Sequence, residues 1–423
     1  MTKKIISATL AILMLFSMCL ALTSCSNSGA SKEGRLSVWV GSDLEELFKQ
    51  IAKDFTDETG IRVSVFPYTG LTASDKLALD GPFGKGGDVY VQGGGGDLAQ
   101  AVEQGLFLEL SKEDTQLESK YISGAQELMQ YQGKLYGVPL GIETTALLYN
   151  KDILPEFPAT WEDLMTFVQD YNHFGNGIKS KDETFGLLID YSNPYYTWAI
   201  NEAFGGYIFG QDETGAYDPT DLGIDNDGSI AACHFIKDLI DSKTIPTDMA
   251  ITLMQSKFQS GRAAVILDGS WDLSNFRNAG INVGVAPIPA LPLGDGSYGM
   301  PVTFTGGYGL AISSFSLNPE LSKQFLEFST RDAYVLEYYK ITGRIPATVN
   351  CAENEEVQAD ECLRGFYAQL ENSYPQPAIN ELNAVWDPLT ASTTAIYING
   401  EDIDTTMHKV ADDIRANIKL LES

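Results

Sequence analysis

The chain has 423 residues, with 57 acidic side chains against 28 basic ones and a formal net charge of −29. So negative a surface excludes nucleic acid, and adhesion to anionic lipid, as modes of action, because both present phosphate. Charged residues at 20% and aromatics at 11% make a globular composition, and the length exceeds one ordinary core, so two domains are expected.

The N-terminus has three parts. Lys3 and Lys4 give a positive start, residues 5–22 form an uncharged and mostly apolar run, and Leu22-Thr23-Ser24-Cys25 follows. This is the pattern of an export signal, and the run falls at the lower edge of a membrane span, so a retained transmembrane anchor is the other reading. The Leu-x-Ser-Cys ending resembles the lipobox of bacterial lipoproteins. That resemblance implies that residues 1–24 are a signal peptide, that Cys25 is lipidated, and that the protein is held on the outer face of the cell membrane. Two or more acyl chains anchor a protein stably where one does not. Residues 25–34 are mostly small and polar, as a tether requires.

Strand and helix signals then alternate. Residues 35–40 (RLSVWV) read as a strand. Residues 43–59 place apolar side chains at 44, 47, 48, 51, 52 and 55, one face of a helix, and Gly60 is positioned to end it. Residues 62–67 and 88–92 are the next strands. A β-α-β-β run predicts an α/β fold with a mainly parallel sheet and helices on both faces. Thr160 is placed to cap a helix over 161–171, with Glu162 and Asp163 in its first turn. Helices are expected over 228–243, from Asn318-Pro319 onward, and over 401–422; short strands at 147–150 and 284–289 lie between helical blocks. No linker divides the chain, which predicts two lobes that exchange it more than once. Cys19 leaves with the signal. Cys233 falls on the apolar face of a helix and reads as a buried thiol, and Cys351 and Cys362 are either bonded across the loop between them or both free.

Enzymatic signatures are missing. There is no Gly-x-Ser-x-Gly elbow and no phosphate loop, since Gly93–Gly96 runs into Asp97 rather than Lys-Ser/Thr. The Gly run reads as a tight strand-to-helix turn, either a bland one or one that lets a ligand approach backbone. His173, His234 and His408 lack zinc-ligand spacing, and residues 221–228 (DLGIDNDG) fail the calcium-loop register and read as a solvated acidic loop. No metal or cofactor is expected. A glycosidase needs two carboxylates at a fixed separation, and nothing marks a particular pair.

What stands out is aromatic residues beside turn residues: Asn193-Pro194-Tyr195-Tyr196-Thr197-Trp198, Asp268-Gly269-Ser270-Trp271, and Trp386-Asp387-Pro388 downstream of Tyr374-Pro375-Gln376-Pro377. A pyranose presents a patch of C–H groups on its ring face and hydroxyls around its edge. Aromatic rings bury the first, and carboxylates and amides bond the second. Each ring taken alone is at least as well explained as core.

At this point the chain resembles the extracellular solute-binding proteins of ABC importers, in the maltose/maltodextrin-binding branch, over nearly all of residues 35–423. The resemblance is carried by residues 36–40 followed by the helix ending in 55–63 (FTDETGIRV), by 133–139 (GKLYGVP), by Glu143 with 148–152 (LYNKD), and by 158–164 (PATWEDL). It continues through 195–198 (YYTW), 204–206 (FGG), 258–275 (FQSGRAAVILDGSWDLSN) and 343–346 (GRIP). It implies a type II periplasmic-binding-protein-like fold with the ligand in a cleft between two α/β lobes. The N-lobe would comprise 35–141 plus 290–344 and the C-lobe 145–286 plus 348–423. The implied function is a monomeric, non-catalytic oligosaccharide receptor that closes on its ligand and docks on a membrane permease. By the same resemblance Glu143, Asp43 and Asn193 order sugar hydroxyls, Tyr195, Trp271 and Trp386 stack on sugar rings, and Trp198 packs beneath them.

The chain departs from that pattern at three places. A Trp and an Asp-Arg pair are replaced by residues 92–97 (QGGGGD), a Lys by Leu44, and an Arg by Thr390. These changes put maltodextrin itself in question and leave other oligosaccharides or glycoconjugates open. The competing readings are the same fold around ferric iron, through paired Tyr at 195–196 and 338–339, or around a polyamine, and, more remotely, a surface glycoside hydrolase.

Overall fold

The computed structural model describes residues 29–68, 73–175, 183–213, 215–247 and 249–421. The expected signal peptide, Cys25 and the start of the expected tether lie outside these residues.

Two mixed sheets organise the chain. The first runs in the order Ile345–Pro346, Gly137–Glu143, Thr303–Ile312, Val89–Gly93, Arg35–Gly41, Arg62–Tyr68, with Ser373–Pro375 added against Thr303–Ile312. The second is Val283–Ala286, Thr145–Asn150, Ala263–Gly269, Phe185–Leu188. The parallel part expected from the β-α-β start is present: Arg35–Gly41 pairs in parallel with both Arg62–Tyr68 and Val89–Gly93. The antiparallel contacts come mostly from Thr303–Ile312, which lies against Val89–Gly93 on one side and Gly137–Glu143 on the other. That strand arrives from the second sheet, so its direction is set by the return of the chain and not by a helical crossover.

The helix Glu45–Thr59 buries Leu47, Phe48, Ile51, Ala52 and Phe55, the apolar face read in the sequence, and Phe55 meets Phe325 and Phe328 edge-on at 5.3 and 5.2 Å. Gly60 ends it with φ 76°, its N–H donating to the Thr56 carbonyl. The helix begins later than expected. Residues Ser42–Leu44 form a separate tight turn, and Asp43 sits in that turn. The Thr160 cap and the helix Trp161–Tyr171 match the sequence pattern, with Thr160 Oγ1 accepting from the Asp163 N–H.

In the second sheet, all seven residues of Ala263–Gly269 are buried, as a strand covered on both faces must be. The chain passes between the sheets at Glu143-Thr144-Thr145. Thr144 is fully buried, and its hydroxyl bonds the Thr303 hydroxyl at 2.7 Å and the Phe304 carbonyl at 2.9 Å. One crossing is thereby pinned to the strand by which the chain returns. Ser373–Pro375 pairs in parallel with Thr303–Thr305, so a stretch expected with the second lobe lies on the first sheet.

Cys351 and Cys362 are free thiols in separate environments, one against the Asp332 carbonyl and the other against the Val283 carbonyl, which decides between the two readings of that pair. Cys233 is half-buried on the helix Asp227–Asp241. The acidic loop at 221–228 is more than solvated surface. Asp225 pairs with His408 at 3.0 Å and Arg415 at 3.2 Å on the C-terminal helix Ile403–Leu421, and Asn226 caps Asp227–Asp241 through the Ser229 N–H.

Candidate functional site

Strand ends from both sheets converge on a cavity of about 240 Å³ that includes Gly93, Asp97, Glu143, Tyr195, Trp271 and Tyr308. Its floor is Gly306-Gly307 in Thr303–Ile312, with Gly306 paired to Glu143. Gly307 has φ +148°, and a Cβ there would lie 2.3 Å from the Gly141 carbonyl, so only glycine allows this close approach of strands.

Each aromatic side chain is aimed by local backbone chemistry. Asn193 caps the helix Pro194–Ala203 by accepting the Tyr195 N–H at 3.1 Å, and Pro194 occupies the first helical position. Tyr195 is thereby fixed at the helix start. Its ring centroid lies 6.1 Å from that of Trp271, 5.8 Å from Phe304 and 6.5 Å from Trp386. Burial, and then the charge of Glu143, push its phenol well above the usual range, so Tyr195 is neutral and offers a hydroxyl donor. Trp271 lies in the single turn Ser270–Asp272 that follows Ala263–Gly269. It folds back over Gly269, where a Cβ would come within 2.2 Å of the indole.

Glu143 pairs with Arg344 at 2.5 Å, and the guanidinium stands 4.7 Å from the Tyr308 ring centroid. Both side chains of the pair are only about 15% exposed (14% and 16%). A partly desolvated carboxylate and guanidinium beside stacked rings can accept from and donate to hydroxyl groups at fixed positions.

Of the residues singled out in the sequence, Glu143, Tyr195 and Trp271 line the cavity, and Trp386 joins them through its ring contact with Tyr195. Two stand apart from its lining. Asp43 is exposed in the turn Ser42–Leu44, though its charge reaches the Tyr308 phenol. Asn193 is exposed and its side-chain oxygen is engaged as a helix cap. Trp198 is 3% exposed, stacks on Phe304 at 5.7 Å and donates to Glu202 at 3.0 Å, so it lies beneath the site. Tyr338 is buried, and the Tyr339 hydroxyl is bound to Asp360. Sequence reasoning missed Arg344, although it lies within the GRIP stretch, and gave no signal for Glu127 and Tyr308, while Gln376 reaches the cavity from the Tyr374–Pro377 stretch noted beside Trp386.

The profile of the bacterial extracellular solute-binding proteins matches residues 50–364. This chain belongs to that family. A galactooligosaccharide-binding protein of Bacillus subtilis is 30% identical over 407 residues, covering 95% of this chain and 93% of the relative. A maltooligosaccharide ABC transporter solute-binding lipoprotein of Streptococcus pneumoniae is 31% identical over 423 residues, 98% and 96% of the two chains. Among solved structures, a cyclo/maltodextrin-binding protein complexed with maltotetraose superposes with a TM-score of 0.80 at 28% identity, over 92% of this chain and 98% of that one. MalX from Streptococcus pneumoniae, in complex with maltopentaose, does so at 0.77 and 29%, over 91% and 99%. The fold of this solute-binding protein is accordingly the two-lobed type II arrangement, and its place is extracytoplasmic.

Proposed function

We propose that this solute-binding protein is the oligosaccharide receptor of an ABC importer. One observation carries the reading: Tyr195 and Trp271 bound a cavity that Glu143 also lines, its carboxylate held by Arg344, so stacking faces and a hydroxyl partner share one small space between two sheets. Asp43 and Asn193 join as outer contacts when the lobes, 35–141 with 290–344 and Ser373–Pro375, and 145–286 with the rest of 348–423, close by a hinge at Thr144 and the other crossings. Trp386 stacks on a sugar ring beside Tyr195. The closed monomer then presents its ligand to a permease, and no catalytic step is involved.

The relatives support the class of ligand. They are named for galactooligosaccharides in one case and maltooligosaccharides in the other, at nearly equal identity, so the linkage of the sugar is a separate question. A diacylglycerol on Cys25 tethers the receptor near its permease. A relative described as a lipoprotein over 98% of this chain supports that anchor.

A thermal-shift screen of the mature chain against malto- and galactooligosaccharides, ferric iron and spermidine tests the proposal. An oligosaccharide that raises the melting temperature, with iron and spermidine inert, is the expected result. A shift with iron or spermidine alone overturns it.

A further inference from the structure

The stretch expected as a free tether, 25–34, is docked on the first sheet from Gly29 onward. Ser31 N–H donates to the Gly86 carbonyl at 2.8 Å, and the Ser31 hydroxyl donates to Asp88 at 2.6 Å and accepts the Leu317 N–H at 2.9 Å. The Trp39 indole donates to the Gly29 carbonyl at 3.0 Å. From Cys25 to Gly29 is four peptide steps, a reach of at most about 14 Å. A lipid on Cys25 therefore holds this end of the first sheet close to the bilayer.

The same end leaves large apolar side chains open. Phe83 is 78% exposed, Leu317 62% and Leu79 60%. They share one patch. Phe315 covers Gly81, where a Cβ would come within 2.4 Å of its ring, and Leu317 is bonded to Ser31, which is bonded in turn to Gly86. Clustered apolar side chains on an exposed surface mark a contact, and the local charge points to the kind of partner. Residues 29–35, 73–85 and 313–319, which build the patch, carry four basic and three acidic side chains, whereas the whole chain has a net charge of −29. This face lacks the negative charge by which the chain as a whole repels lipid phosphate.

We propose that this face rests on the bilayer, with Phe83, Leu317 and Leu79 inserted among the headgroups and upper acyl chains. The lipid on Cys25 keeps the protein on the membrane, and the three side chains fix which way it stands. Val89–Gly93 starts beside the patch, next to Asp88, and ends at Gly93 in the Glu143 cavity, on the order of 15 Å away. The cavity is thereby turned from the lipid and open to solute. The orientation rests on the lipid anchor at Cys25 proposed above, and is independent of which sugar is bound.

Fluorescence of the lipidated protein on phosphatidylcholine vesicles, part of whose lipid carries a nitroxide on the upper acyl chain, tests this. An environment-sensitive fluorescent residue replaces Lys85, beside Phe83, or Lys409 on Ile403–Leu421, which packs with the second sheet. Quenching at the Lys85 position and none at the Lys409 position is expected. Phe83→Ser/Leu317→Ser should remove about half of the Lys85-position quenching or more, while the protein still floats with the vesicles. Equal quenching at the two positions, or quenching at the Lys85 position that the double substitution leaves unchanged, overturns the orientation. So does a dimer of the unlipidated chain, 26–423, that the same double substitution dissociates in sedimentation, since a second copy would then cover the patch. Wild-type protein that fails to float with the vesicles overturns the anchor itself, and the orientation with it.

Discussion

Glu143 and Arg344 meet at 2.5 Å although 201 residues separate them, one ending a strand of the first sheet and the other following the left-handed Gly343. Removing one member of such a partly buried pair strands the other's charge, which costs on the order of 3 kcal/mol. Arg344→Ala is expected to lower the unfolding free energy by that order. The double variant Glu143→Ala/Arg344→Ala should recover part of the loss, because no unpaired charge remains. Urea denaturation of the two variants checks this, and a double variant no more stable than Arg344→Ala contradicts it.

Trp271 and Gly269 form one unit, since the indole occupies the space a Cβ at 269 would need. Trp271→Ala should weaken sugar binding by about 1–3 kcal/mol, the scale of a lost aromatic contact. Gly269→Ala should reproduce much of that loss without touching the ligand, by displacing the ring. Calorimetry with both variants, alongside their circular dichroism to confirm the fold, reads the effect. Full affinity in Trp271→Ala removes that side chain from the site.

Asn193 has two roles to separate, helix cap and sugar contact. As a cap, Asn193→Ala should cost about 0.5–2 kcal/mol of stability, and Asn193→Asp should restore it, since either oxygen accepts the Tyr195 N–H. Thermal denaturation of both variants without ligand decides the point. A stable Asn193→Ala protein that binds sugar poorly would make the residue a ligand contact alone.

The sequence made the periodic parts plain. The 3.6-residue pattern at 47, 48, 51, 52 and 55 became the buried face of Glu45–Thr59, and the Thr160 cap stands where its side chain implied. Tyr195 and Trp271 were visible because turn residues flank them. Arg344, Tyr308 and Glu127 were not, because their role depends on which strands the sheet brings together, and that is a long-range property with no local signature. Asn193 shows the reverse case. Its position before a proline-led helix is itself a local signal for a cap, which stands beside the sugar contact that the resemblance implies.

Asp268 has no exposure at all. It lies just before the Trp271 turn, with Gly269 N–H donating to one oxygen at 2.8 Å and Gln255 donating to the other at 3.2 Å. Gln255 also donates to Asp272 at 2.8 Å. Burial first, and then the Asp272 charge, push the Asp268 carboxyl from its ordinary 3.8 up to about 8. The folded state therefore holds a proton that the unfolded chain releases. For an acid raised in this way, stability is fully present below pH 4 and declines as pH rises from about 4 to about 8, by at most about 1.4 kcal/mol per unit. Other groups titrate as well, so the informative quantity is the difference from Asp268→Asn, which cannot ionise. The variant is expected to lose less stability than the wild type between pH 5 and pH 8, and to run parallel to it above pH 9. Melting temperatures measured across that range in the absence of ligand test this. Parallel curves from pH 5 to pH 8 would mean that Asp268 is already ionised in the folded protein, and that its two donors hold a carboxylate beside Asp272.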